Sequence, residues 1–302
     1  MHGLRRAPTF ALRTSGRFGE RGRLFNRILV PTDGSESASA AAGYAIQLAT
    51  AFDSTIVALH VVDVRLIEGP VLQTIGSMWG DIPLPVRQEG VTRTLRERGT
   101  ALLESLVGRA QEADLPVETA LETGIASEVI VDRARGVDLV VMGRRGEYAD
   151  FGTHAVGATV AAVARRSPRP VLVCPRGSDA LMRPLVAYDG SDHATRALEI
   201  AVEYAETRGC PLHVVCVREE LEEARRTLGE ACDYARGHAV DPTPLPKEGD
   251  AVADRILEAA GDIDADLLVM GSFRKSRLKQ FLLGSTTETL LESFTHPILL
   301  YR

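Results

Sequence analysis

The sequence predicts an α/β protein made of two tandem doubly wound domains, each with a five-stranded parallel sheet flanked by helices. The first observation is a repeat: Asp-Gly-Ser follows an apolar run at Asp33 and again at Asp189. Asp-Leu-(Val/Leu)-Val-Met-Gly also occurs twice, ending at Gly143 and Gly271. The second is that short β-branched runs alternate with longer helical stretches, which indicates a parallel sheet covered on both faces. The third is length, since 302 residues suit two domains of about 150 residues each.

The elements follow from this alternation. In the first copy, strands are predicted at the short apolar runs 27–31, 55–62, 117–121, 139–142 and 171–174. Helices are predicted in the longer stretches between them, at 36–51, 91–113, 126–135 and 157–166. The second copy repeats this order from Leu185 to Tyr301. Right-handed crossovers then give a five-stranded doubly wound sheet. Ligands in such sheets bind at the carboxyl ends of the strands, where the strand order reverses.

The domain boundaries are predicted from composition. Residues 1–26 form a basic leader, 27–175 the first domain (copy one), 176–182 a short polar linker, and 183–302 the second domain (copy two). The leader resembles a transit peptide or a nucleic-acid arm, but it lacks periodicity, which favours a disordered tail or an over-extended translation start. An insertion in copy one, about 65–90, is expected to be an irregular loop: a surface excursion, a lid or a subunit contact.

Composition excludes several classes of protein. The chain is 45% hydrophobic and 25% charged, and no apolar run approaches the roughly 20 residues that a membrane span needs. The leader carries a charge of +5 although the whole chain carries −6, so the body is acidic and nucleic acid is an unfavoured partner. Four cysteines without CxxC spacing favour buried free thiols, a cytoplasmic location and no structural zinc.

Glycines and helix starts suggest a site for phosphate in each copy. Gly143 and Gly146 follow a buried strand and Gly157 opens the next helix; in copy two, Gly271 and Gly284 stand in the matching places. Glycines let backbone N–H groups approach an anion, and a helix N-terminus adds unpaired donors and a positive dipole end. Asp33 and Asp189 would lie at the same sheet edge, where a carboxylate can accept hydrogen bonds from ribose hydroxyls or a base.

Each of these features also has a purely structural interpretation. Ser285-Thr286-Thr287-Glu288 fits a helix capping box, and Asp33 and Asp189 fit turn-capping residues. His60 is expected to be a satisfied core histidine, whereas His154 could reach a phosphate. Six cations on the two glycine loops are either solvated charges or anion ligands: Arg144, Arg145, Arg274, Lys275, Arg277 and Lys279.

These motifs resemble the universal stress protein family. Pro-Thr-Asp-Gly-Ser after the first strand, Val-Met-Gly after the fourth, the glycine loop and the closing Pro-Val-Leu-Val carry the resemblance, which spans Arg27 to Arg302 as a tandem pair. In the ATP-binding branch, G-x-x-G is followed by nine residues and G-(S/T). Copy one has ten residues before Gly157, and Ala158 replaces the hydroxyl; copy two has Arg274 at the second glycine.

The resemblance implies a set of nucleotide contacts. In copy one they fall on Pro31, Thr32, Asp33, Val61, Met142, Gly143, Gly146, Gly157, Ala158 and Thr159. In copy two they fall on Asp189, Val217, Met270, Gly271, Gly284, Ser285 and Thr286. Val61 and Val217 would meet the adenine through backbone groups.

The resemblance implies a regulatory or stress-response protein that binds ATP or another adenine nucleotide, with Mg. The alternative is a nucleotide-independent scaffold or regulator of a protein partner, with degenerate sites. A third class is the adenylate-forming enzymes of related folds. These enzymes have a glycine-rich loop after the first strand, which this sequence does not have. No nucleophile–base pair, metal pair or Walker loop is visible, so we expect at most slow ATP hydrolysis or autophosphorylation. We also expect the last strands of the two copies to pair within the chain, and the whole chain to form a homodimer.

Overall fold

The computed structural model describes residues 24–65, 84–146, 156–272 and 284–302. The predicted leader lies almost wholly outside the described residues, as does most of the insertion. The same holds for His154 and for the copy-two loop cations from Arg274 to Lys279.

Copy one contains five strands and the helices between them. The strands are β1 (Arg27–Pro31), β2 (Thr55–Asp63), β3 (Val117–Gly124), β4 (Leu139–Gly143) and β5 (Val171–Cys174). The helices are α1 (Glu36–Phe52), α2 (Leu84–Gln111), α3 (Ala126–Arg133, extended by a 3₁₀ turn at Ala134–Gly136) and α4 (Ala158–Arg166).

Copy two repeats this order. Its strands are β6 (Pro184–Ala187), β7 (His213–Arg218), β8 (Thr243–Glu248), β9 (Leu267–Gly271) and β10 (Ile298–Tyr301). Its helices are α5 (Asp192–Arg208), α6 (Leu221–Gly237), α7 (Val252–Asp262) and α8 (Ser285–Ser293). Among the described residues, no helix combines the length and the apolar character that crossing a membrane requires.

The described strands form one ten-stranded sheet in the order β3-β2-β1-β4-β5-β10-β9-β6-β7-β8. Every neighbouring pair within a copy is parallel, whereas β5 and β10 pair antiparallel with Leu172 opposite Leu299. The doubly wound parallel sheets and the pairing of the last strands are thus confirmed. We call the β5–β10 contact the seam. Because it is antiparallel, the carboxyl ends of the copy-one strands and those of the copy-two strands lie along opposite edges of the sheet, where an edge is the line formed by the strand ends.

Two hydrophobic layers cover the two faces of this sheet. Alternate residues of each strand point to opposite faces, so Ile28 and Val30 join one layer while Leu29 joins the other. Each layer contains residues from both copies. At the seam, the rings of Phe52 in α1 and Tyr204 in α5 lie 5.7 Å apart. The two copies therefore share their cores.

One expectation for the insertion is wrong: residues 84–90 are helical, because α2 begins at Leu84. Proline at position 85 suggested an irregular loop. A proline in the first turn of a helix is tolerated, however, because the N–H that it lacks would have no partner there.

An aspartate before the fourth strand of each copy holds the start of the first strand. Asp138 Oδ2 accepts hydrogen bonds from the amides of Asn26 and Arg27, at 2.9 and 3.0 Å. Asp266, which is 6% exposed, does the same for Met182 and Arg183 at 2.8 and 2.7 Å. This repeated aspartate is a structural clamp at the edge opposite the glycines of its own copy.

We expect Asp266→Ala to lower the free energy of unfolding by roughly 2–4 kcal/mol, because two amides lose a charged acceptor in a buried position. Asp233→Ala is the matched control, since the Asp233 side chain is 82% exposed, and it should cost less than about 0.5 kcal/mol. Urea denaturation checks both. Equal losses would contradict the clamp.

Candidate functional site

The turn after the first strand has the same geometry in both copies. Asp33 Oδ1 accepts a hydrogen bond from the Ser35 amide at 3.0 Å, and Asp189 Oδ1 accepts one from Ser191 at 3.0 Å. Gly34 and Gly190 have φ values of 86° and 75°, a conformation that glycine adopts without strain. The turn-capping interpretation of both aspartates is therefore confirmed.

The serine of each turn caps the following helix. Ser35 Oγ accepts from the Ala38 amide at 3.1 Å, and Ser191 Oγ accepts from the Ala194 amide at 3.2 Å. Ser35 Oγ also donates to the Arg145 carbonyl at 3.3 Å. The cap thereby joins the turn after β1 to the loop after β4.

The glycine at the end of β4 and of β9 is required by close packing. A Cβ at Gly143 would lie 2.5 Å from the backbone carbon of Ser37. A Cβ at Gly271 would lie 2.6 Å from that of His193. Each strand end thus touches the first turn of the helix that follows the first strand, which brings the two loops of each copy together.

In copy one, three parts of the predicted site converge. A Cβ at Gly146 would lie 2.8 Å from Asp33 Oδ2, so the loop backbone packs directly against the carboxylate. The Gly157 amide donates to the Arg144 carbonyl at 3.0 Å, which closes the loop onto the start of α4. A Cβ at Gly157 would lie 3.5 Å from the Gly146 nitrogen.

The helices after the loops begin with glycine N-caps, Gly157 for α4 and Gly284 for α8, and a glycine has no side chain with which to cap the helix. The capping-box expectation for Ser285 is therefore wrong, because Ser285 is the first helical residue rather than the N-cap. Its side chain is exposed, as is that of Ala158 at the matching position in copy one. Neither N-cap residue therefore supplies a side-chain acceptor for the first N–H groups of its helix.

The remaining predicted residues border the carboxyl ends of the strands of their own copy. Pro31 and Thr32 are half-buried, Met142 and Met270 are buried, and Thr159 and Thr286 are half-buried in the first turns of α4 and α8. Val61 and Val217 occupy equivalent positions, two residues beyond the partner of the last residue of β1 and of β6. All predicted residues of copy one thus lie around the carboxyl ends of β1, β2 and β4.

Backbone bonds hold this edge in the same way twice. The Thr32 amide donates to the Leu59 carbonyl at 2.8 Å, and the Tyr188 amide donates to the Val215 carbonyl at 2.9 Å. In copy one the half-buried His60 has its Nδ1 2.8 Å from the Thr32 carbonyl oxygen. Such a bond needs the proton on Nδ1, so His60 is a satisfied structural residue, as expected.

Arg144 differs from both expectations for the loop cations. Its Nη2 donates to the carbonyls of Phe294 and His296 in copy two, at 2.6 and 3.4 Å. Burial lowers the pKa of the Arg144 guanidinium from its ordinary value, although an arginine keeps its charge in proteins. Arg144 therefore binds the second copy rather than solvent or an anion.

Arg218 is the site residue that sequence reasoning missed. It ends β7 and donates to the Asp189 carbonyl at 2.6 Å and to the Val217 carbonyl at 3.2 Å, both at the predicted copy-two site. The sequence held one signal, a charge at the end of an apolar strand where copy one has Val62.

The described part of the chain contains buried thiols and no cluster of metal ligands. Its four cysteines are free and buried, and burial raises the pKa of each thiol, so they stay protonated at neutral pH. Within these same ranges, no group of three or more His, Cys, Asp or Glu residues is placed to hold a metal ion.

We expect Ser35→Ala and Ser191→Ala each to lower the free energy of unfolding by about 1 kcal/mol, since each removes an N-cap. Ser285→Ala changes the first helical residue rather than the N-cap, so its effect should stay below about 0.5 kcal/mol. The three variants can be compared by urea denaturation. A loss for Ser285→Ala as large as that for Ser191→Ala would show that Ser285 does cap α8.

Comparison with known proteins agrees with this architecture. The model of the universal stress protein family matches residues 24–175 and again 182–302. A universal stress protein from Synechocystis is 26% identical over 300 residues, covering 91% of this chain and 99% of the relative. One from Thermus aquaticus is 35% identical over 133 residues, covering 39% of this chain and 96% of the relative.

A solved structure shows the same fold over most of the chain. The crystal structure of a universal stress protein from Archaeoglobus fulgidus superimposes with a TM-score of 0.74 at 22% identity, covering 92% of this chain and 98% of that one. The two family matches together span well over half of the residues. The chain belongs to the universal stress protein family and carries the family's domain twice.

Proposed function

We propose that this protein binds ATP or a related adenine nucleotide at the carboxyl ends of its strands. It would act in regulation or the stress response, through nucleotide-dependent conformation or partner binding. The observation that carries the proposal is the convergence in copy one of the Asp33 carboxylate, the Gly146 backbone and the start of α4, whose N-cap is Gly157. A carboxylate, a glycine loop and a helix N-terminus are the groups that a nucleotide's ribose and phosphates need.

Each group has a defined task in this proposal. The first amides of α4 face phosphate oxygens, which the positive end of the helix dipole stabilises. Asp33 accepts hydrogen bonds from ribose hydroxyls, and the backbone of Val61 meets the base. Since the described residues offer no acidic cluster for a metal, Mg would be held mainly by the phosphates.

A route for nucleotide-dependent conformation starts in the same loop. Arg144 lies between Gly143 and Gly146 and is anchored on the Phe294 and His296 carbonyls of copy two. A shift of the loop on ligand binding would therefore act on the segment that leads into β10. Such coupling requires that the ligand bind the two arrangements with different affinity.

The second candidate is a nucleotide-independent scaffold. Two observations favour it in part: Ala158 offers no hydroxyl at the start of α4, and Arg218 bonds to backbone carbonyls of the copy-two site. This candidate requires a protein partner that binds equally well with and without ATP. Neither candidate includes fast hydrolysis, since the sequence contains no Walker loop with its phosphate-binding lysine.

Homodimerisation of the whole chain remains part of the proposal. Sedimentation of the purified protein should give about twice the chain mass of 32.6 kDa. A mass equal to that of one chain would contradict it.

We expect nucleotide released by acid from freshly purified protein to be adenine nucleotide, quantified per chain by mass spectrometry. Asp33→Ala and Asp189→Ala are matched, because each removes the same turn hydrogen bond and differs only in the copy affected. The variant that loses the nucleotide identifies the occupied copy. No nucleotide, together with no binding of added Mg-ATP by calorimetry, would favour the scaffold.

We also expect Gly146→Ala to weaken Mg-ATP binding by roughly 10-fold or more, because its methyl group would lie 2.8 Å from Asp33 Oδ2 and displace the carboxylate. Gly136→Ala is the control, since no atom lies within 4 Å of the added carbon. Calorimetry measures both affinities. Unchanged binding in Gly146→Ala would remove Asp33 from the proposed site.

A further inference from the structure

We call the strand end at Val61 in copy one, and at Val217 in copy two, the proposed base-binding edge. The two copies differ at one position of it. Sheet register makes β2 and β7 equivalent, with Leu59 opposite Pro31 and Val215 opposite Ala187. Three residues further along, copy one has Val62 and copy two has Arg218. The residue just before it, Val61 or Val217, is the one whose backbone would meet the base.

The Arg218 guanidinium occupies this edge in copy two. One nitrogen donates to the Asp189 carbonyl at 2.6 Å and another to the Val217 carbonyl at 3.2 Å. The arginine therefore spans the two backbone groups between which a base would lie. A base that reached the Val217 carbonyl would have to displace charge-assisted hydrogen bonds, which are about twice as strong as neutral ones.

The surroundings hold Arg218 in this position. Its Nε lies 3.3 Å from Glu223 Oε1 in the first turn of α6, and its side chain is only 18% exposed. Because the guanidinium is planar and its donors are fixed relative to one another, arginine loses less conformational entropy for each hydrogen bond than lysine would. Rotation into solvent would break the ion pair and both carbonyl contacts together.

Copy one has an apolar side chain in the matching place. Val62 is 2% exposed and has no donor to offer. Arg65 lies close by, but it is paired with Asp63, with Nε 2.9 Å and Nη2 2.5 Å from the carboxylate oxygens. Copy one thus has a buried aliphatic residue where copy two has a cation, and the next arginine along its chain is paired with a carboxylate.

We propose that Arg218 closes the base-binding edge of copy two, so that each chain binds one adenine nucleotide, in copy one. This inference rests on the proposed function and adds to it which copy is occupied and which residue decides it. Arg218 is a specificity-determining residue that acts by exclusion. Its removal creates a second site.

The test is the number of Mg-ATP sites per full-length chain, measured by calorimetry on protein dialysed free of nucleotide. The wild-type chain should show one site, lost in Asp33→Ala and kept in Asp189→Ala. Arg218→Val, which gives copy two the residue of copy one, should show two. Its second site should be at least about 100-fold tighter than any copy-two binding in the wild type, because two charge-assisted bonds no longer compete.

Two further variants serve as controls. Arg218→Met keeps an apolar stem for packing, so it should also show two sites if Arg218→Val folds poorly. Arg225→Val removes an exposed arginine whose carboxylate partner, Glu222, lies at 2.5 Å, and it should keep one site. In the double variant Arg218→Val, Asp33→Ala, the new site alone should remain.

The outcomes separate the two proposals. Two sites in the wild type, or a single site that Asp189→Ala abolishes, would overturn the role of Arg218 and leave nucleotide binding intact. The same holds for a single site in well-folded Arg218→Val and Arg218→Met. No binding in any of these proteins would instead overturn the proposed function.

Discussion

The structure depends on one contact, the antiparallel pairing of β5 with β10. Each copy alone would leave the edge of its last strand unpaired, and an open apolar edge is a site of unwanted association. Pairing removes both edges at once and makes one sheet of ten strands. The layers on its two faces then run through both copies, so the stability of one copy depends on the presence of the other.

Most of the fold could be predicted because the repeat and the alternation of strands and helices are local signals. β1 and β5 have the predicted bounds, and β2 and α1 are each one residue longer. The start of α2 could not be predicted, since prolines at 83 and 85 suggest a loop as strongly as a first helical turn. The prediction of Ser285 as an N-cap was wrong for a similar reason: the helix starts one residue earlier than a capping box would require, so that Gly284 is the N-cap.

The sequence predicts the glycines that shape the backbone of the candidate site. Gly143 and Gly271 were identified from sequence, and the structure gives the reason, which is contact with the first turn of a helix about 100 or about 80 residues away along the chain. Arg144 and Arg218 were not predictable in this way. Their partners, Phe294 and Asp189, are joined to them by tertiary packing, and a charge in a loop or at a strand end says nothing of where it points.

The antiparallel pairing of β5 and β10 places the candidate sites of the two copies at opposite edges of the sheet. Each long edge of the sheet carries the strand ends of one copy and the strand starts of the other, so Gly143 and the Asp266 clamp belong to one edge and Gly271 and Asp138 to the other. A flat partner surface resting on one edge would meet the candidate site of a single copy. The candidate site of the other copy would then face away from that partner, at the opposite edge.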